Sequence, residues 1–165
     1  MKLKQIIEDL CKHPEFKEWE KSHKECYLVH TFKMPDDANE NIWQIGYYDK
    51  KKDKITTFFI ENDDVRIIPE EEVYKREKKA IKELDLDKVK ITEQQALEKA
   101  TKTLKEKYKE TSMKTILILQ NIEEGLVWNI TFVTNSMKTV NVKVDANNGK
   151  IVKDEITSLM EFNAG

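Results

Sequence analysis

The stretch GLVWNITFVTNSMKTVNVKVDANNGKIV, residues 125–152, decides how the rest of the chain is read. Residues 126–134 and 138–145 alternate apolar and polar side chains, the period-two pattern of half-buried strands. Asn135, Ser136 and Met137 form the polar turn between them. Asp145-Ala146-Asn147-Asn148-Gly149 closes the second strand with residue types that favour turns. The stretch predicts a two-stranded unit with a second turn at its end.

Upstream, residues 113–120 (MKTILILQ) read as a third strand, with a turn at 121–124. Thr92 with Gln95 three positions later is a capping-box pattern. It predicts a helix whose one face carries Ala96, Ala100, Leu104 and Tyr108. Downstream, Ile151 and Val152 begin a terminal strand or helix reaching Phe162.

The first half repeats this order. Leu3, Ile6, Ile7 and Leu10 have the spacing of an amphipathic helix. His13-Pro14 should end or bend it, and Pro14 suits the first turn of a second short helix that carries Phe16 and Trp19. Residues 26–34, 42–48 and 55–60 read as strands, separated by polar and charged turns. Pro69 followed by Glu70, Glu71 and Glu72 predicts a solvated helix to Leu84, since acids suit a helix N-terminus. The basic run at 75–79 reads as a wet face of that helix.

A shift of 85 residues lays Trp43 on Trp128, Ile45 on Ile130 and Tyr47 on Phe132. Without a gap it also lays Ile55 on Val140, Thr57 on Val142 and Phe59 on Val144, and Asn62-Asp63-Asp64 on Asn147-Asn148-Gly149. Matches two apart lie on one sheet face. The expected fold is α+β: two similar units of a helix with a three-stranded antiparallel sheet, pseudo-duplicated. The expected division is 1–68, a helical connector at 69–88, and 89–165.

The 165 residues carry 36% charged side chains but a net charge of only −2. That balance argues against a nucleic-acid footprint or docking on an acidic membrane. The sequence has no apolar run of membrane-spanning length, and its start lacks the pattern of a secretory signal. A cytoplasmic location is expected, with Cys11 and Cys26 as reduced thiols.

Residues 91–100 (ITEQQALEKA), 127–132 (VWNITF) and 140–152 (VNVKVDANNGKIV) together resemble a PepSY domain: its capped opening helix, two closing strands and Asp-x-x-x-Gly turn. The resemblance covers residues 89–153. The first half is a diverged copy, with Asp64 in place of the turn glycine and Pro14 inside its leading helix. The resemblance implies a small α+β binding module without catalytic residues. It also implies a protein or peptide partner, with a regulatory or inhibitory role toward a peptidase.

All histidines and cysteines fall in one region: Cys11, His13, His23, Cys26 and His30. Convergence of four would suit zinc, and a Cys–His pair would suit nucleophilic chemistry. The spacing fits no standard zinc motif, and the more economical reading is thiols and imidazoles with structural roles. Glu61, Asp63 and Asp64, like Asp145 and Asn147, read as turn residues and not as a cation site. Trp43 and Trp128 read as packing residues. No catalytic, cofactor-binding or metal residue is assigned, and no enzyme activity is expected. The leading expectation is a PepSY-like module whose sheet edges accept a partner strand or a second copy. The alternatives are a cystatin-like protein holding a small ligand between helix and sheet, and a metal- or thiol-dependent enzyme.

Overall fold

The computed structural model describes residues 2–36, 38, 40–72 and 80–159. Among these residues the order is α1 (Lys2–Lys12), α2 (Pro14–Glu20), β1 (Tyr27–Lys33), β2 (Ile42–Asp49), β3 (Lys54–Glu61), β4 (Asp64–Glu72), a 3-10 turn (Leu86–Lys88), α3 (Glu93–Glu106), β5 (Ser112–Ile122), β6 (Gly125–Thr134), β7 (Lys138–Asp145) and β8 (Ile151–Ser158). The fold is α+β, as expected. Two compact units emerge: Met1–Phe32 with Asn41–Leu86, and Lys33–Glu40 with Asp87–Gly165.

In the first unit the strands run β4-β3-β2-β1, each antiparallel to the next. Helix α1 buries Leu3, Ile7 and Leu10, three positions on one helical stripe. His13 ends it and caps α2, its Nδ1 accepting the Glu15 amide at 3.2 Å. Proline at the first turn of α2 needs no amide partner. Phe16 and Trp19 then pack together on Tyr47 and Phe58, with ring centroids 5.0–5.8 Å apart. The far sheet face carries Tyr27 against Tyr48. Residues 80–85 cross there: the Tyr27 hydroxyl donates to the Ile81 carbonyl at 2.6 Å, and the Leu84 amide to the Leu28 carbonyl at 2.8 Å.

The expected helix from Pro69 is corrected. Pro69–Glu72 belong to β4, and residues 80–85 are not helical; the basic run at 75–79 lies outside the described residues. Three steps along β4 from Ile68 to Glu71 match two along β3 from Thr57 to Ile55, so Pro69 sits at a bulge of an edge strand. A residue without an amide is tolerated there.

The second unit has sheet order β5-β6-β7-β8 with α3 packed on β6 and β7. The capping box at Thr92 and Gln95 is formed, with its two bonds at 2.9 and 3.1 Å. Ala96, Ala100 and Leu104 form the buried stripe of α3. Below them Trp128, Ile130, Val140, Val142 and Val144 are fully buried. Tyr108 lies past the helix end, its hydroxyl bonded to Asp154 on β8. Each unit therefore has a fourth strand, β4 or β8, beyond the three expected.

The ungapped correspondence between β3 and β7 is also corrected. Trp43 pairs with Ile60, and Trp128 with Val144. The partner of Ile60 is thus Val144, and Thr56, Phe58 and Ile60 are the buried residues of β3, not Ile55, Thr57 and Phe59. The β2–β3 turn is one residue longer than the β6–β7 turn, and a one-residue slip exchanges the faces of a strand.

Candidate functional site

Four of the five histidines and cysteines, His13, His23, Cys11 and His30, make separate structural contacts. His13 caps α2. His23 stacks on Trp19 at 4.7 Å; its Nδ1 lies 2.7 Å from the Trp19 carbonyl, and its Nε2 3.1 Å from the Glu70 carboxylate. Cys11 Sγ lies 3.9 Å from the Tyr47 hydroxyl. The His30 ring covers Gly46 on the neighbouring strand. His23 and Cys26 share a shallow hollow that also contains Asp49 and Lys52. Burial, with Asp49 and Glu70 adding to it, pushes the Cys26 thiol up to about 11. Burial also raises Cys11. Both thiols are thus held away from the reactive thiolate form. Among the described residues no three His, Cys, Asp or Glu side chains gather into a metal-holding group.

The acidic candidates are turn residues. Glu61 and Asp64 pair across the two-residue turn Asn62-Asp63, where Asn62 has φ 56°. Asn accepts that left-handed geometry better than most residues. The Asp145 carboxylate accepts the amides of Asn147 and Asn148 at 2.8 and 3.0 Å, and the Asn147 side chain donates to the Lys88 carbonyl. Trp43 and Trp128 are 3% and 0% exposed.

Two features remain as candidate sites. One is a groove of about 380 Å³ in the first unit, between α1 and the ends of β2, β3 and β4. Ile6, Leu10, Trp43, Ile60 and Val65 make its apolar lining, with Asp9, His13, Asn62, Asp63 and Lys2 around it. The other is the outer edge of β8, where Val152 and Ile156 are 42% and 38% exposed. The groove was not read from the sequence because its walls come from segments some fifty residues apart. Val65 and Ile6, apolar but only half-buried, are the trace it leaves.

A helix over an antiparallel sheet defines a small α+β module, and the acidic and tryptophan candidates lie in its turns and core. Residues 90–155 match the PepSY family model, peptidase propeptide and YPEB domain. The resemblance read over residues 89–153 is borne out, and the second unit is PepSY-like. A crystal structure described as a "putative lipoprotein" from Clostridium difficile 630 has the same fold, with TM-score 0.56 at 18% identity over 87% of this chain and 90% of that one. No curated protein matches the sequence. No described helix is long and apolar enough to cross a membrane.

Proposed function

We propose that the chain is a non-enzymatic binding module whose PepSY-like unit engages a protein partner, a peptidase by class, through strand addition at β8. The two apolar side chains left exposed on β8, the last strand of its sheet, carry this reading. β4 is blunted by the bulge at Pro69 and by Glu70, Glu71 and Glu72, devices that discourage edge pairing. β8 also carries a bulge, at Val152, and a charged run, Lys153-Asp154-Glu155, but it has no proline in its eight residues and leaves Val152 and Ile156 exposed. An extended partner segment would gain main-chain hydrogen bonds there and apolar contacts with Val152 and Ile156. The peptidase class is supported by the family description of residues 90–155. A duplicated origin of the two units belongs to the same proposal, supported by the matching tryptophan registers. So does a cytoplasmic location, which two unpaired thiols suit and cell fractionation tests.

The test is affinity capture from native cells with the full chain and with Ile156→Pro, which interrupts the β8 edge. A peptidase retained by the parent, lost with the folded variant, and changed in activity by the purified chain is the expected result. Recovery of only a second copy of the chain would replace the reading with self-association. Equal capture by the folded variant would remove β8 from it.

The small-ligand alternative has one observation of its own, the groove beside α1; the core below α3 is filled. Native mass spectrometry of the chain purified from its own cells tests it. A stoichiometric small molecule supports that alternative, and a bare mass removes it.

A further inference from the structure

Trp43 and Trp128 hold the same register in their sheets, opposite Ile60 and Val144. In the second unit the place beside the tryptophan is filled by Val89-Lys90-Ile91. The indole N–H of Trp128 donates to the Ile91 carbonyl at 2.9 Å. The amides of Lys90 and Ile91 both donate to the Ala146 carbonyl, at 2.8 and 2.9 Å. Val89 is buried, and the Ile91 side chain lies against Gly149. Three residues, apolar at the first and third, bend around the Ala146 carbonyl, are latched by these backbone bonds and complete the core.

In the first unit the groove stands beside the tryptophan instead. Asn62 follows Ile60 by two residues as Ala146 follows Val144, and Asn62 and Ile60 both line the groove with Trp43. Its volume of about 380 Å³ falls within the roughly 300–1,000 Å³ of ligand pockets. Two carboxylates, Asp9 and Asp63, and one ammonium, Lys2, stand among its lining residues. His13 already spends Nδ1 on the Glu15 amide.

We propose that this groove is a peptide-binding site. Its occupant is a short segment with β-branched apolar residues on either side of a basic residue, the side-chain pattern of Val89-Lys90-Ile91 in the second unit. The apolar side chains enter between Ile6, Leu10 and Val65, and the basic residue meets Asp9 or Asp63. The site lies outside the PepSY-matched residues and is separate from the β8 edge, so either can fail without the other.

The probe is the capped peptide acetyl-Lys-Val-Lys-Ile-Thr-amide, titrated into the isotope-labelled full chain and followed by NMR. Saturable shifts centred on Ile6, Trp43, Asn62 and Val65 are expected. Val65→Lys should weaken binding at least tenfold with an unchanged melting temperature, and Ile6→Lys replaces it if Val65→Lys does not fold. A peptide with both lysines replaced by glutamate should bind several-fold more weakly. The proposal is overturned by an absence of saturable shifts, by shifts centred on Trp128 and Ala146, or by unweakened binding to a folded variant. A small molecule carried by the natively purified chain and contacting the same lining residues also overturns it.

Discussion

Gly46 is set by a neighbour, not by a turn. It pairs with His30 across β1 and β2, and a Cβ built on it would meet the imidazole ring at 2.3–2.7 Å. Glycine in a strand interior ordinarily weakens it, so the ring and the missing side chain form one packing unit. Gly46→Ala is expected to cost about 1–3 kcal/mol by overpacking, measured by urea unfolding. In a His30→Ala background the same change should cost much less, because residues in contact are non-additive; an undiminished cost would place the conflict elsewhere. His30 also sets a pH dependence. Burial pushes its pKa below the ordinary 6.5, so the folded chain holds the ring neutral where the unfolded chain protonates it. The unfolded state binds more protons in that window, so the stability present above about pH 6.5 is lost as pH falls toward the folded value. His30→Gln should flatten this slope between pH 6.5 and 5 in paired melts of the two chains. None of this pairing was legible in the sequence, because β1 carries a bulge between Leu28 and His30 that alternation does not announce.

At the scale of elements, most of the chain was legible where one physical signal stood alone. Pro14 separated α1 from α2, and the Thr92–Gln95 pattern placed the start of α3. That cap carries its own prediction. Thr92→Ala removes the acceptor for the Gln95 amide and should cost about 1 kcal/mol, whereas Thr92→Ser should cost little. Paired urea melts would show it, and equal loss in both variants would mean that the methyl group matters, not the hydroxyl. Reading failed where one residue pattern serves two purposes. Proline followed by three glutamates starts a helix or blunts an edge strand with equal chemistry, and pairing with β3 selects the strand. It also failed at β3, where ITTFFI is apolar on both faces and alternation cannot say which face is buried. The pairing of Trp43 with Ile60 decides that Phe58 and not Phe59 enters the core.

For the molecule as a whole, the distribution of titratable groups predicts an order of events on acidification. All three histidines precede residue 31, so the second unit has none. Its shifted groups that titrate on the acid side are carboxylates. Hydrogen bonds from Lys107 and Tyr108 hold Asp154 below the usual range; a bond from Ser136 does so for Glu110, and a backbone amide for Glu124. Groups with lowered folded values stabilise above the ordinary carboxylate pKa and lose that contribution as pH falls through the folded value, below about pH 4. Each is solvent-screened and individually small. The first unit contains His30, whose window opens near pH 6.5. Acidification should therefore loosen β1–β4 first, as pH falls from about 6.5 to 5, while β5–β8 keep their protection until the carboxylates titrate. Hydrogen exchange read peptide by peptide, corrected for the pH dependence of the intrinsic rate, measures the two units separately. Earlier loss in β5–β8, or no loss in β1–β4 above pH 5, would show that His30 does not govern the acid response. His30→Gln distinguishes the cause: if burial of this ring is responsible, the substitution delays the loss in β1–β4 and leaves β5–β8 unchanged.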